Sequence, residues 1–124
     1  MSDINFNFKR KYTLEQRKHD AEEILNKYKD RVPVIVEKAP KCETLIEINK
    51  TKFLAPKDML VAQFIFIIRR LMSLSEESAL FLFTENKMVL LTSQTMLDSY
   101  LKNKNKDDNF LYLYYAPELI FGNN

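Results

Sequence analysis

The sequence predicts one α+β domain. Two segments, residues 13–29 and 59–72, repeat apolar side chains every three or four positions, which is the period of an amphipathic helix. Several shorter segments are rich in Val, Ile, Leu, Phe and Tyr and are bounded by turn-forming residues, a pattern typical of β-strands. The chain has 124 residues, of which 46% are hydrophobic, and this is enough for a single domain with its own core.

The first half of the chain begins with the charged helix over residues 13–29, whose predicted N-cap is Thr13. Residues 32–36 form the first predicted strand. Pro33 has no backbone N–H to donate, so its presence favours a strand with a free edge. A second strand is predicted over residues 45–54.

A turn then leads into the second helix, residues 59–72, with Asp58 as its predicted cap. Residues 80–83 and 88–91 flank a short polar turn and are predicted to pair as strands. The predicted core stripe of the helix is Leu60, Phe64, Ile67, Ile68 and Leu71.

The chain ends with a short helix and a last strand. The helix covers residues 95–102, where Thr95 and Asp98 have the spacing of a capping box. The strand covers residues 110–115, and its apolar density predicts a central position in the sheet. A strand pair, a packed helix and further strands that end in a central one make a β-grasp. The predicted fold class is therefore α+β, a ubiquitin-like β-grasp with an N-terminal helical extension.

Composition excludes several classes of protein. The net charge is only +2 and the sequence contains no long basic run, so nucleic acid is not an expected partner. Cys42 is the single cysteine, which rules out an internal disulfide and a cysteine zinc cluster. We find no secretory signal, and no apolar run approaches the ~20 residues of a membrane span. The expected location is cytoplasmic.

Gly122 is the only glycine of the chain, where average composition would give about nine. A residue without a Cβ can thread a narrow enzyme tunnel and leaves its carboxyl carbon open to attack. These are the needs of a C-terminus that is trimmed, activated and joined to an amine. The alternative is a glycine that is tolerated in a frayed tail.

Several blocks of sequence, which follow one another in the family's order, resemble the autophagy ubiquitin-like modifiers. This is the family of the light-chain-3 and GABA-receptor-associated proteins. The resemblance runs from about residue 14 to residue 122. The blocks are KYKDRVPVIVEKAPK at 27–41, KFLAP at 52–56, VAQF at 61–64, IRR at 68–70, ALFLF at 79–83, TS at 92–93 and FLY at 110–112.

The resemblance implies a role for the tail. Family members are cut after a C-terminal glycine that usually follows an aromatic residue, here Phe121-Gly122. A dedicated cysteine protease would cut the Gly122–Asn123 bond. Ubiquitin-like activating and conjugating enzymes would then join Gly122 to phosphatidylethanolamine on autophagic membranes. No cofactor is implied beyond this covalent phosphatidylethanolamine.

The resemblance also implies a groove for partner peptides of the form aromatic-x-x-aliphatic, added as an extra strand to a sheet edge. Cargo receptors carry such motifs. Acidic residues flanking the motif would meet Arg31, Lys50 and Lys52. The implied first pocket consists of Asp20, Ile24, Pro33, Lys52, Leu54 and Phe110, and the second of Phe53, Ala55, Pro56, Met59, Phe64 and Ile67. Alternation along residues 52–55 suits two pockets on opposite sides of one strand.

Ordinary structural roles are alternatives for several of these residues. Ile24, Phe64 and Ile67 are equally well explained as ordinary core. For Lys52 the alternative is a solvated charge, but its match to the family position favours a role in binding. We expect three parts, namely an N-terminal helical extension (1–30), a β-grasp core (31–116) and a flexible conjugation tail (117–124). The lipidated form would lie on autophagosomal or other vesicle membranes.

The sequence leaves two other functions as alternatives. One is a β-grasp interaction adaptor in trafficking that is never conjugated, in which Gly122 is incidental. The other is a thiol hydrolase using Cys42 and His19. A Cys–His pair needs a third, orienting group and a pocket, and His19 lies on the polar side of its helix. We therefore expect the chain not to be an enzyme.

Overall fold

A computed structural model describes residues 6–117. The helices and strands alternate along the chain in the α+β pattern that the sequence predicts. They are α1 (Asn7–Lys11), α2 (Leu14–Lys27), β1 (Arg31–Lys38), β2 (Lys52–Pro56), α3 (Val61–Met72), β3 (Phe81–Thr84), α4 (Met96–Asn103) and β4 (Leu111–Ala116). Over the described residues, no helix is both long and apolar enough to cross a membrane.

The four strands form one mixed sheet in the order β2-β1-β4-β3. β1 and β4 pair in parallel, while β2 and β3 each pair antiparallel with their neighbours at the two edges. β4 is buried along its whole length. The predicted central position of this last strand is confirmed.

Helices cover both faces of the sheet. On one face α3 and α4 pack over a cluster that includes Val34, Phe53 and Leu113. On the other face α2 packs over a second cluster that includes Ile35, Phe110 and Tyr112. Neighbouring residues of one strand contribute to opposite clusters because successive side chains point to opposite faces. We call these the α3-side cluster and the α2-side cluster.

Pro33 does not lie in an edge strand, and the prediction of a free edge for its strand is wrong. β1 pairs with β2 on one side and with β4 on the other. The N–H of Val36 donates to the carbonyl of Thr51 at 2.9 Å, so alternate residues of β1 face β2 and Pro33 faces the β4 side. Pairing with β4 begins only at Val34 and Leu111. The missing N–H of Pro33 therefore costs the ladder no bond.

The second strand is shorter than predicted, because residues 45–50 are irregular and β2 begins at Lys52. Side-chain contacts hold the irregular segment in place. The Tyr115 hydroxyl donates to the carbonyl of Ile46 at 2.7 Å and accepts from the N–H of Ile48 at 3.1 Å. These bonds satisfy the backbone locally, so the segment needs no strand partner.

The predicted cap of α3 is wrong as well. Its N-cap is Leu60, whose N–H donates to the side chain of Gln63 at 2.9 Å, rather than Asp58. The buried stripe is displaced accordingly, because Leu60 and Leu71 are exposed and Ile67 is half-buried. The buried residues of α3 are Val61, Phe64, Ile68 and Met72.

The starts of α2 and α4 agree with the sequence, whereas α1 was not predicted as a separate helix. Thr13 caps α2 through a capping box with Gln16, and the Thr95 hydroxyl accepts from the N–H of Asp98 at 3.0 Å. The predicted segment 88–91 pairs with β3 through one bridge, Val89 with Phe83, rather than as a full strand. The N–H of Leu90 donates to the carbonyl of Leu82 at 2.9 Å, and the N–H of Thr84 donates to the carbonyl of Met88 at 2.8 Å.

The N-terminal helix α1 is fastened to the sheet. Both oxygens of the Glu37 carboxylate accept backbone N–H groups, from Asn7 at 2.8 Å and Phe8 at 3.0 Å. The ring of Phe6 stacks on that of Tyr114 with 4.0 Å between centroids. α1 is thus part of the packed domain.

Tyr115→Phe tests the attachment of the irregular segment before β2. The change leaves a carbonyl and an N–H without partners, so we expect the free energy of unfolding to fall by about 1–3 kcal/mol. Hydrogen exchange at the Ile48 amide should accelerate. The matched control is Tyr28→Phe, on a tyrosine that is 41% exposed, which should change stability by less than about 0.5 kcal/mol. Equal effects from the two variants would contradict this role of Tyr115.

Candidate functional site

β2 forms one edge of the sheet and pairs with β1 on its other side. In its register Phe53 lies opposite Val34 and Ala55 opposite Val32. Because the pairing bonds alternate along an antiparallel strand, the N–H and C=O groups of Lys52 and Leu54 point away from β1. This outer edge presents backbone groups to an added strand.

The side chains of β2 alternate between the two faces. Phe53 and Ala55 are buried in the α3-side cluster. Leu54 is half-buried and packs against the α2-side cluster, and Lys52 is exposed on that same side. One edge strand therefore borders both apolar clusters.

The residues predicted for the first pocket gather on the α2 side. Ile24 and Phe110 are buried together in the α2-side cluster, and Leu54 packs against it. Pro33 is buried on β1. At the rim, Lys52 Nζ lies 2.8 Å from Asp20 Oδ2, and this ion pair links β2 to α2.

Of the residues predicted for the second pocket, Phe53, Ala55, Phe64 and Met59 belong to or pack against the α3-side cluster, whereas alternation along β2 puts Pro56 on the side of Leu54. The rings of Phe53 and Phe64 meet edge-on with 5.5 Å between centroids. Phe53, Ala55 and Phe64 are buried core residues, which is the bland interpretation raised for Phe64. The half-buried members, which a ligand can reach, are Pro56, Met59 and Ile67.

Each of the three cations predicted to meet acidic partners already has an intramolecular contact. Arg31 Nη1 donates to the carbonyl of Leu54 at 3.1 Å. Lys50 Nζ lies 4.9 Å from the centroid of the Phe53 ring, and Lys52 is paired with Asp20. An acidic ligand must therefore compete with these contacts.

A cleft of about 540 Å³ opens beside the Asp20–Lys52 ion pair. Phe8, Tyr12 and Thr51 line it together with the two charged residues. Of the residues predicted for the two pockets, only Asp20 and Lys52 belong to its lining. The cleft thus lies next to the edge of β2, beyond its Lys52 end.

A buried polar network was missed by the sequence analysis. Asp108 is fully buried, and its Oδ2 accepts from Arg17 Nε at 2.8 Å and from the Tyr112 hydroxyl at 2.6 Å. Its Oδ1 accepts from the N–H of Phe110 at 2.9 Å. The available signal was the spacing of Arg17, which precedes Ile24 by seven positions and so shares its helix face.

The tail residues Phe121, Gly122 and Asn123 lie outside the described residues. Cys42 is half-buried and packs against both apolar clusters, whereas His19 is exposed on α2 and lies 3.3 Å from Glu23. Residues 6–117 contain no group of three or more His, Cys, Asp or Glu residues that could hold a metal ion.

The chain that forms this sheet edge matches the model of a known family over nearly its whole length. The family model described as autophagy protein Atg8, ubiquitin-like, matches residues 16–122. The chain belongs to the Atg8 family. The resemblance seen in the sequence is confirmed, and this Atg8-family protein is a ubiquitin-like autophagy protein rather than an enzyme.

Relatives from distant organisms support the same family. Autophagy-related protein 8e of Arabidopsis thaliana is 44% identical over 115 residues, which cover 93% of this chain and 92% of the relative. Autophagy-related protein 8 of Coccidioides immitis (strain RS) is 41% identical over 116 residues, covering 94% and 97%. The crystal structure of Trypanosoma brucei ATG8 matches with a TM-score of 0.84 and 38% identity, covering 95% and 99%. The predicted ubiquitin-like β-grasp is confirmed.

The buried tyrosines predict how stability changes at alkaline pH. The pKa of Tyr100 is raised to about 12, mainly by burial and secondly by the negative charge of Asp108. Burial also raises the pKa values of Tyr112, Tyr114 and Tyr115 above the ordinary value of about 10. These hydroxyls ionise more readily in the unfolded chain than in the folded protein. Their contribution to stability is therefore complete below pH ~10, and it is lost as the pH rises toward the pKa values of the folded protein.

We expect the free energy of unfolding to fall steadily above pH ~10. Phenolate absorbance measures the ionisation of the buried tyrosines, which should occur only as the chain unfolds. Ionisation of Tyr100, Tyr112, Tyr114 and Tyr115 near pH ~10 in folded protein would contradict this expectation.

Proposed function

We propose that this Atg8-family protein is a ubiquitin-like modifier that is trimmed after Gly122, conjugated to phosphatidylethanolamine, and then recruits cargo receptors and autophagy factors through a groove at β2. The observation that carries the groove is the outer edge of β2, whose side chains alternate between two apolar clusters. Family membership supports the conjugation.

The motif spacing suits this edge. In an extended peptide, residues three positions apart point to opposite faces of the sheet and lie ~10 Å apart. An aromatic side chain would pack on half-buried Leu54, above the α2-side cluster that contains Ile24 and Phe110, and an aliphatic one would reach Met59 and Ile67 on the α3 side. Backbone pairing with Lys52 and Leu54 would supply affinity, and the two clusters would supply specificity.

Charge would favour acidic residues beside the motif. Arg31, Lys50 and Lys52 all lie along or next to β2, and their present contacts are with a carbonyl, a ring and an exposed carboxylate. An exposed ion pair contributes only ~0–1 kcal/mol, so an incoming carboxylate can replace Asp20 beside Lys52 at little cost.

The tail would carry the chemistry of conjugation. A cysteine protease hydrolyses the Gly122–Asn123 bond, and activating and conjugating enzymes then transfer the Gly122 carbonyl to the amine of phosphatidylethanolamine. Six residues follow Ala116, the end of β4, up to Gly122, and such a segment can extend ~20 Å. A segment of this length, when extended, is long enough to carry the carboxyl group away from the folded core.

The division into an extension (1–30), a core (31–116) and a conjugation tail (117–124) stays a prediction, as does a cytoplasmic unconjugated form and a membrane-bound lipidated form. A non-conjugated interaction adaptor is the second candidate, because the β2 groove does not itself require the tail. The two candidates differ in whether Gly122 becomes a terminus.

Gly122→Ala tests the conjugation. The added Cβ crowds the carboxyl carbon, so we expect loss of the lipid-bearing form from the membrane fraction of the protein's own cells. Intact mass in cytosolic and membrane fractions measures this. The control Asn123→Ala should leave both forms unchanged. Full-length mass in both fractions for the unchanged protein would favour the adaptor instead.

Leu54→Ala tests the groove. Removing this half-buried side chain should weaken binding of an aromatic-x-x-aliphatic peptide by about tenfold, measured by titration calorimetry. The control Leu101→Ala removes a leucine that is 61% exposed on α4, and it should bind like the unchanged protein. Equal affinities of the three proteins would argue against a peptide site at this edge.

A further inference from the structure

The buried carboxylate of Asp108 joins elements that supply the first pocket. Its Oδ1 accepts the N–H of Phe110, whose ring is buried under α2. Its Oδ2 accepts Arg17 Nε from α2 and the hydroxyl of Tyr112 from β4. One carboxylate thus holds the helix and the start of the strand together.

Arg17 lies where it controls the pocket wall. It precedes Asp20 by three positions and Ile24 by seven, so all three lie along one side of α2. Its side chain is 12% exposed, and its Nη1 also donates to the carbonyls of Tyr12 at 2.7 Å and Lys9 at 3.3 Å. The guanidinium therefore fixes the beginning of α2 to α1 as well as to Asp108.

The backbone hydrogen bonds that join neighbouring strands do not join a helix to the sheet it packs on. Side chains therefore determine the position of the helix. The other polar link from α2 toward the pocket is the Asp20–Lys52 ion pair, whose side chains are 30% and 41% exposed. The Arg17–Asp108 pair is shielded from water and its acceptor oxygens have defined partners, so it holds its geometry far more strictly than the rim pair.

We infer that Arg17 and Asp108 are positioning residues for the aromatic pocket. They set the separation between Ile24 on α2 and Phe110, which directly precedes β4, and hence whether a flat aromatic side chain fits between α2 and β2. This inference rests on the proposed groove. It assigns a role in partner selection to two buried residues that a docked peptide does not touch.

Arg17→Gln and Asp108→Asn test the inference by calorimetry with synthetic peptides. The first peptide has tryptophan and leucine three positions apart, the second has leucine in place of tryptophan, and the third has alanine in place of the leucine. We expect Arg17→Gln to weaken binding of the first and third peptides by the same factor, roughly tenfold, and binding of the second by far less.

The matched control is Arg69→Gln on α3. Arg69 donates to the carbonyls of Ser75, Glu76 and Ser78 at 2.6–3.1 Å, so the variant also breaks an arginine network, but one remote from α2. It should bind all three peptides like the unchanged protein. Circular dichroism confirms that each variant is folded at the temperature of the titration. Should Asp108→Asn fail to fold, Arg17→Gln and Tyr112→Phe carry the test.

Three outcomes would overturn the inference. Equal affinity of Arg17→Gln and the unchanged protein for the tryptophan peptide would overturn it while leaving the groove intact. An equal loss for all three peptides would show general loosening of the fold, and would also overturn it. Absence of binding by the unchanged protein would overturn the proposed groove together with this inference.

Discussion

β1 and β4 pair in parallel from Val34 and Leu111 to Lys38 and Tyr115, joining segments from opposite ends of the sheet-forming chain. Parallel neighbours need a long crossover, and here β2, α3, β3 and α4 all lie within it. Strands paired in this way are buried on both faces, so each face needs a helix. α3 covers one face and α2 the other, which makes the N-terminal helices a structural layer of the domain.

This arrangement leaves β2 at an edge with an apolar cluster on each side. The two ion pairs near that edge differ in exposure and therefore in what they can do. The exposed Asp20–Lys52 pair contributes about 1 kcal/mol at most and can exchange partners. Breaking the buried Arg17–Asp108 pair would leave a charge without its partner, at a cost of about 3–5 kcal/mol. The exposed pair is suited to binding a ligand, and the buried pair is suited to holding α2 against the sheet.

Much of this fold could be predicted from local patterns. The helix starts at Thr13 and Thr95 and the central last strand follow from capping chemistry and apolar density, which act over a few residues. The prediction from Pro33 was wrong because β1 extends beyond β4 at this residue, where the missing N–H removes no hydrogen bond. The register of the two strands determines this, and it is not visible in the local sequence. Asp58 misled because Gln63 supplies the cap of α3 from inside the helix.

The site was predictable to a similar degree. Residues 52–56 could be placed through family resemblance and strand alternation. The partnership of Arg17 with Asp108 could not, because the spacing of Arg17 and Ile24 marks a shared helix face but not a partner, and the two charged residues meet only when α2 packs on the sheet. Long-range polar contacts of this kind depend on the assembled fold.

The contact between Arg31 and the Leu54 carbonyl also bears on self-association. An exposed strand edge is a template on which a second copy of the chain can pair and aggregate. Here the Arg31 guanidinium covers one outward carbonyl, and Lys52 adds a second cation further along the same edge. Two such edges brought together would place cations against cations, which disfavours the pairing of two copies. The charges on this edge therefore oppose self-association.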